Sequence, residues 1–235
     1  MSNSEIVNER RRILDEYNRR EVTLDKSLYA PWEPGELFMT LDRKKETALQ
    51  LHKLNSFPRT GNRCLEIGYG KLGWLADLIS WGVKETDLFG IELDANRAAV
   101  AQAALPKANL ITGDATELPW ENNYFQYVVL STVFSSILDE SVRNLIAKEI
   151  IRVLDSGGVL IYYDIAVNNP NNKNIKAVSR KELETMFPDC ELKFKSITLA
   201  PPISRIIAGR SWVLATFLNA LPFLRTHQLA FIIKN

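Results

Sequence analysis

From residue 63 to about residue 165, short apolar runs rich in β-branched residues alternate with stretches of helical period, and this alternation limits the fold more than any other feature. "CLEIG", "LFGIE", "NLIT", "YFQYVVLS" and "VLIYYD" read as five strands. Between the first two, Leu72, Leu75, Ala76 and Ile79 give a helical stripe that stops at Gly82. Asp94 is placed to cap an alanine-rich helix. Val142, Leu145, Ile146, Ile150, Val153 and Leu154 mark a long helix, with Gly157-Gly158 as its stop. Apolar strands separated by helices are βαβ units, which build a parallel sheet covered on both faces.

The flanks read differently. Residues 4 to about 22 carry Ile6, Ile13, Leu14 and Tyr17 on one helical face, with Arg10, Arg11, Arg12, Arg19 and Arg20 elsewhere and Glu9, Asp15, Glu16 and Glu21 to balance them. A solvated charged face is favoured over an RNA-binding arm. "YAPWEPGELF" (29–38) breaks the pattern, and a second helical stretch runs from about 40 to 54. After the fifth strand comes the polar loop "AVNNPNNKN", then a capping box of Ser179 and Glu182 opening a short helix stopped by Pro188. The alternating run "ELKFKSITLA", a helical excursion at about 201–224 and the strand "HQLAFIIK" close the chain, so the last strand pair is expected to be partly antiparallel. Residues 1–58 read as a helical extension or lid, and 59–235 as one domain carrying that excursion.

With 235 residues, 46% of them hydrophobic, the chain can bury a full core. A net charge of +1 supplies no field for nucleic acid or an anionic membrane. No leader-like start and no apolar run of about 18 residues appears, so a cytoplasmic protein without a transmembrane segment is expected. Cys64 and Cys190 stand far apart without companion histidines, which argues against a disulfide framework or a metal site. Residues 211–224 are apolar nearly all round. Burial at the sheet edge or a homodimer contact is favoured over peripheral membrane docking, whose basic flank is only Arg205 and Arg210.

"LEIGYGKLGW" (65–74) spells Gly-x-Gly-x-x-Gly with Gly68, Gly70 and Gly73, a pattern shared by several nucleotide-binding loops. Glu66 separates them. A carboxylate at the loop mouth would oppose a pyrophosphate by about 1 to 4 kcal/mol at about 4 Å, whereas the sulfonium and ammonium of S-adenosylmethionine are cations. A phosphate-binding P-loop fails because Leu72 follows Lys71 where a hydroxyl is required. Glu92, ending the second strand, can accept both ribose hydroxyl protons, and Asp114, after the third, can accept from the adenine amino group. Three acids at successive strand ends make a specific constellation.

At these residues the sequence resembles the class I S-adenosylmethionine-dependent methyltransferases, of the small-molecule and glycan-modifying, methyltransferase domain 11-like kind. The motifs are "CLEIGYGKLG", "GIELDA", "GDATELPWENNYFQYVV" and "RVLDSGGVLIYYD", over about residues 60–165. The resemblance implies an α/β Rossmann-like fold of seven strands in the order 3-2-1-4-5-7-6, the last antiparallel. It also places Glu66, Gly68 and Gly70 on the methionine moiety, Glu92 and Leu93 on ribose, Asp114 and Ala115 on adenine, and Ser131 beside the methyl group. Glu stands at 66 and 92 where Asp is frequent; both are acceptors.

Methyl transfer is an in-line displacement, and orientation alone supplies up to about 7 to 11 kcal/mol. A hydroxyl acceptor also wants a base. The segment Ser131-Thr132-Val133-Phe134 lacks the Asn/Asp-Pro-Pro-aromatic sequence of amino-group methylases of nucleic acid, neither cysteine is placed as a nucleophile, and Ser131 replaces the Asp of metal-dependent catechol-type enzymes. Asp164 and His52 are the candidate bases, with His227 behind them, and Tyr29, Trp32 and Phe38 are candidate substrate-lid residues. The expected function is methylation of a hydroxyl, ahead of an amine, on a small molecule or saccharide. A non-catalytic cofactor-binding module or partner subunit is the alternative, with an RNA methyltransferase third and an NAD-dependent oxidoreductase disfavoured by Glu66.

Overall fold

The computed structural model describes residues 3–23, 25–170 and 172–235. The leader reading rests partly on Met1 and Ser2, and the 166–174 loop contains Asn171; these three lie outside the described residues. One sheet organises the chain: β1 (Cys64–Ile67), β2 (Leu88–Glu92), β3 (Asn109–Thr112), β4 (Phe125–Ser131), β5 (Leu154–Ile165), β6 (Cys190–Leu199) and β7 (Arg225–Lys234) lie in the order β3-β2-β1-β4-β5-β7-β6. The first five pair in parallel, and β7 runs antiparallel to both β5 and β6. The expected Rossmann-like fold is therefore present.

Helices cover both faces. On one, α1 (Asn3–Thr23), α5 (Glu140–Val153) and α6 (Arg180–Met186) contribute Ile13, Ile146 and Leu183 to a core with Val128 and Leu130 of β4. On the other, α2 (Pro34–Lys53), α3 (Leu75–Ser80) and α4 (Ala95–Ala104) bring Leu51, Leu78 and Ala101 against Tyr127 and Val129. The period-2 alternation of β4 assigns those side chains to opposite faces. The sequence-read caps hold: Asp94 accepts from Asn96 and Arg97 N–H, and Ser179 with Glu182 closes a reciprocal capping box.

Four sequence expectations are corrected. Helix α2 begins at Pro34, because a proline at the first helical position has no N–H to leave unpaired and its φ suits the helix. Gly157-Gly158 is not a helix stop; α5 ends at Val153 and β5 starts at once, running through the glycines, with Gly157 at φ +73° beside a register shift against β4. The stripe after the glycine loop faces the core through Trp74, Leu75 and Leu78, leaving Ala76 and Ile79 outside. The apolar excursion is not buried as a whole: it forms α7 (Pro201–Ala208) and α8 (Trp212–Asn219), and only Ala208 and Ala215 join Phe38 and Leu199 in a small third core.

Candidate cofactor and active site

The glycine loop leaves β1 with Gly68, Gly70 and Gly73 all at positive φ. Glu66 lies beneath this loop rather than at its mouth. It is 1% exposed, and its carboxylate accepts from Trp74 N–H at 2.8 Å and Leu75 N–H at 3.1 Å, satisfying the first turn of α3. Gly73 is required here twice over: at φ +55° an L side chain is strained, and a Cβ would stand 2.6 Å from the Glu66 carboxyl carbon. Burial pushes the Glu66 pKa up to about 8, against the pull of the Trp74 N–H and the nearby Arg43.

Glu92, 2% exposed, ties the loop to β2. One oxygen accepts from Gly70 N–H at 2.7 Å and the other from Asp94 N–H at 3.0 Å. Tyr69 is seated against Gly90 of β2, where any Cβ would come within 2.7 Å of its Cε1, and its hydroxyl donates to the Ile111 carbonyl. Asp114, just beyond β3, accepts from Thr116 N–H at 2.8 Å. Leu93 and Ala115 pack partly buried against the core beside it, and Ser131 ends β4. The proposed cofactor residues thus gather at the carboxyl ends of four adjacent strands, β3-β2-β1-β4, where open α/β sheets bind ligands.

Helix α1 crosses this end of the sheet. Arg10 Nε stands 3.4 Å from the Asp114 carboxylate, Glu21 pairs with Lys71 of the glycine loop at 2.9 Å, and Glu9 accepts from Leu138 N–H. Arg12 donates to the Ser136 carbonyl. Tyr17 lies under the Arg97 guanidinium at 4.5 Å, and Arg97 in turn stands over Gly70, where a Cβ would meet its Nη2 at 2.8 Å. Val133 fills the space over Gly68 in the same way. Between α1 and Ser136, Asn174 and Ile175 only about 10 Å³ remains, room for one water at most. The sequence displays the apolar face of α1, but not that this helix reaches Asp114 and the glycine loop through Arg10 and Glu21. Arg12, Arg19 and Arg20 pair with Glu9 and Glu16 of the same helix.

The candidate bases separate. Asp164, next to the end of β5, is 0% exposed, with Ser135 N–H on one oxygen at 2.9 Å and Ile165 N–H on the other, so in this conformation it braces the 134–136 turn and burial closes it to substrate. Burial raises its pKa to about 6. His52 is corrected: it is exposed near the end of α2, beside Ser56, whose hydroxyl bonds Tyr127 opposite the first residue of β1. That is the amino end of the sheet, away from the glycine loop. His227 stacks on Tyr163 with ring centres 5.1 Å apart, and burial lowers its pKa to about 4, keeping it neutral.

The lid residues engage the α7–α8 excursion. Phe38 is buried edge-on to Trp212 at 5.6 Å, Tyr29 lies under the Arg205 guanidinium, and Trp32 projects into solvent. Burial pushes the Cys64 thiol up to about 12, and both cysteines are free. Among the described residues no cluster of ligands for a metal ion occurs.

These residues fit an adenosine-bearing cofactor. Each oxygen of Glu92 spends one lone pair on a backbone N–H and keeps capacity for a hydroxyl, and Asp114 already accepts a cationic donor, Arg10, where an exocyclic amine would donate. Fold and site together define a class I, Rossmann-like cofactor-binding protein. A family model described as a methyltransferase domain matches residues 65–162. The chain is 29% identical over 121 residues to the sterol 4-C-methyltransferase strm-1 of Caenorhabditis elegans, covering 48% of this chain and 34% of that protein. It is 30% identical over 106 residues to the demethylmenaquinone methyltransferase of Staphylococcus aureus, covering 44% and 43%. The matched stretch thus spans less than half the length of either relative. A structure described as a putative sarcosine dimethylglycine methyltransferase from Galdieria sulphuraria shares the fold with a TM-score of 0.61 at 15% identity, over 83% of this chain and 86% of that one. Residues 65–162 thus match a methyltransferase domain, on a fold shared with S-adenosylmethionine-dependent methyltransferases, and S-adenosylmethionine is the cofactor this match implies.

Proposed function

We propose that the protein transfers a methyl group from S-adenosylmethionine to a hydroxyl, and second to an amine, of a small molecule or saccharide. The observation that carries the reading is that Glu92 and Asp114 stand at the ends of the adjacent strands β2 and β3, with Gly70 N–H of the glycine loop bonded directly to Glu92. In this reading Glu92 and Leu93 hold the ribose, Asp114 and Ala115 the adenine, Gly68 and Gly70 the methionine part, and Ser131 lies beside the methyl group. Glu66 supports the loop from below through the N–H groups of Trp74 and Leu75. When bound, S-adenosylmethionine supplies a methyl carbon activated for displacement by its sulfonium.

The chain's own contribution is orientation and exclusion of water, worth up to about 7 to 11 kcal/mol. Residues 1–58 serve as the lid: α1 leaves Asp114 and the glycine loop to admit the cofactor. Asp164 acts as the base for a hydroxyl once the 134–136 turn releases it. A second reading, transfer to an apolar ring compound, is supported by the exposed apolar α8 at the ligand end and by relatives named for a sterol and for demethylmenaquinone.

Incubation with methyl-labelled cofactor and a panel of glycans, lipids, RNA and protein tests the acceptor. Label in a glycan or small-molecule fraction is expected, and label on a lipid quinone or sterol selects the second reading. Label only on RNA overturns both, and cofactor binding with no transfer to any class favours a non-catalytic module.

A further inference from the structure

Helix α8 is eight residues long, and its outward side is almost entirely apolar. Val213 is 83% exposed, Phe217 64%, and Phe223 in the turn that follows 79%, with Trp212 half-exposed at the helix start. Ala215 and Asn219, one turn apart, are buried, Leu218 packs partly buried against the third core and Trp212 touches Phe38. Side chains of this size are not left in water along one ridge unless something covers them. Among the described residues no helix is long and apolar enough to cross a membrane, so the ridge suits a surface contact and not a span.

The charge around it selects the partner. Residues 192–235 contain no Asp or Glu but carry Lys193, Lys195, Arg205, Arg210, Arg225 and Lys234. Glu36 of α2 stands 3.7 Å from Arg205, leaving Arg210, exposed at the α7–α8 corner, and Arg225, whose guanidinium caps the carbonyls of Asn219 and Ser196. A two-fold contact between copies of this ridge would bring like-charged arginines together without a carboxylate from the excursion. An anionic lipid surface instead accepts the aromatic ridge into its headgroup region and pairs with the arginines. We propose that α8 and the turn 222–224 dock the protein on an anionic membrane surface.

The position gives the contact a use. The excursion leaves the sheet from the end of β6 and returns into β7, where Leu199 pairs with Arg225 and His227 with Ile165, the last residue of β5. This is the end of the sheet that carries the cofactor residues. Docking there turns the ligand side of the domain toward the lipid.

Co-sedimentation of the full-length protein with vesicles tests the proposal, using phosphatidylcholine alone and phosphatidylcholine with about 30% phosphatidylglycerol. Binding to the anionic vesicles is expected, with a blue shift of tryptophan emission from Trp212 and weakening at high salt. Phe217→Glu and Phe223→Glu should each lower partitioning on the order of tenfold with an unchanged melting temperature, and Arg210→Glu should lower it a few-fold. Absence of vesicle binding, binding indifferent to these substitutions, or a dimer in solution that Phe217→Glu converts to monomer would each overturn it.

Discussion

Arg10 Nε and the Asp114 carboxylate lie 3.4 Å apart, joining the first helix of the chain to the acid that the functional reading assigns to adenine. Tyr17 beneath Arg97 and Glu21 on Lys71 complete the contact. Under the proposed assignment Asp114 would serve both Arg10 and the adenine, so α1 and the cofactor are expected to compete.

That competition has a direction. Tyr17→Ala should tighten S-adenosylhomocysteine binding by up to about tenfold and speed association, because a ligand that needs an opened state gains affinity as that state becomes more populated. Arg10→Ala should act less, a few-fold at most, since a half-exposed ion pair is worth about 0.2 to 1 kcal/mol. Calorimetry and stopped-flow binding measure both. Weaker binding in Tyr17→Ala would mean that α1 closes on the cofactor instead of competing with it.

Glu92 carries the ribose assignment and the loop together. Glu92→Ala should weaken S-adenosylhomocysteine binding at least about tenfold, and it leaves the buried N–H of Gly70 unpaired at about 1 to 3 kcal/mol, with a smaller loss at the half-buried N–H of Asp94. Glu92→Gln keeps an acceptor and should lose less of both. Unchanged affinity in the alanine variant would remove Glu92 from the site.

Glu66 makes stability pH-dependent. Its carboxyl binds a proton below about 8 in the folded chain and below 4.5 in the unfolded one, so between those values the folded state holds more protons. Stability from this group is complete at low pH and declines as pH rises toward 8, by up to about 1.4 kcal/mol per unit. Denaturant titrations should show that slope in the native chain and a flatter profile in Glu66→Gln. Equal slopes would place the ionised carboxylate in the folded protein throughout.

Gly73→Ala drives a methyl group into the Glu66 carboxylate at a positive φ. A loss of about 2 to 4 kcal/mol is expected in unfolding experiments, within the range of severe overpacking with backbone strain. An alanine variant of native stability would show that the loop has other room.

Much of this architecture was legible in the chain. The strands announce themselves because a sheet covered on both faces needs continuous apolar runs, and Asp94, Ser179 and Glu182 mark helix starts by local chemistry alone. That Glu92 and Asp114 stand at neighbouring strand ends was legible because the topology places those ends together. What the sequence did not disclose depends on tertiary contact. Nothing local says that Ile13 joins the sheet core and Tyr17 packs under Arg97, that Arg97 and Val133 cover the loop glycines, or that Glu66 turns inward to the N–H groups of Trp74 and Leu75. His52 was misplaced because helical periodicity gives a face but not which end of the sheet the helix reaches. Pro34 and Gly157 carry breaker signals that the first position of a helix and a strand irregularity both accommodate.

The central claim is that the glycine loop, Glu92 and Asp114 form a site for S-adenosylmethionine. Isothermal titration of the full-length protein with S-adenosylhomocysteine and, separately, with NAD tests it most directly. Saturable binding of S-adenosylhomocysteine, lost in Glu92→Ala, with no heat from NAD is the predicted result; binding of NAD alone would contradict the account.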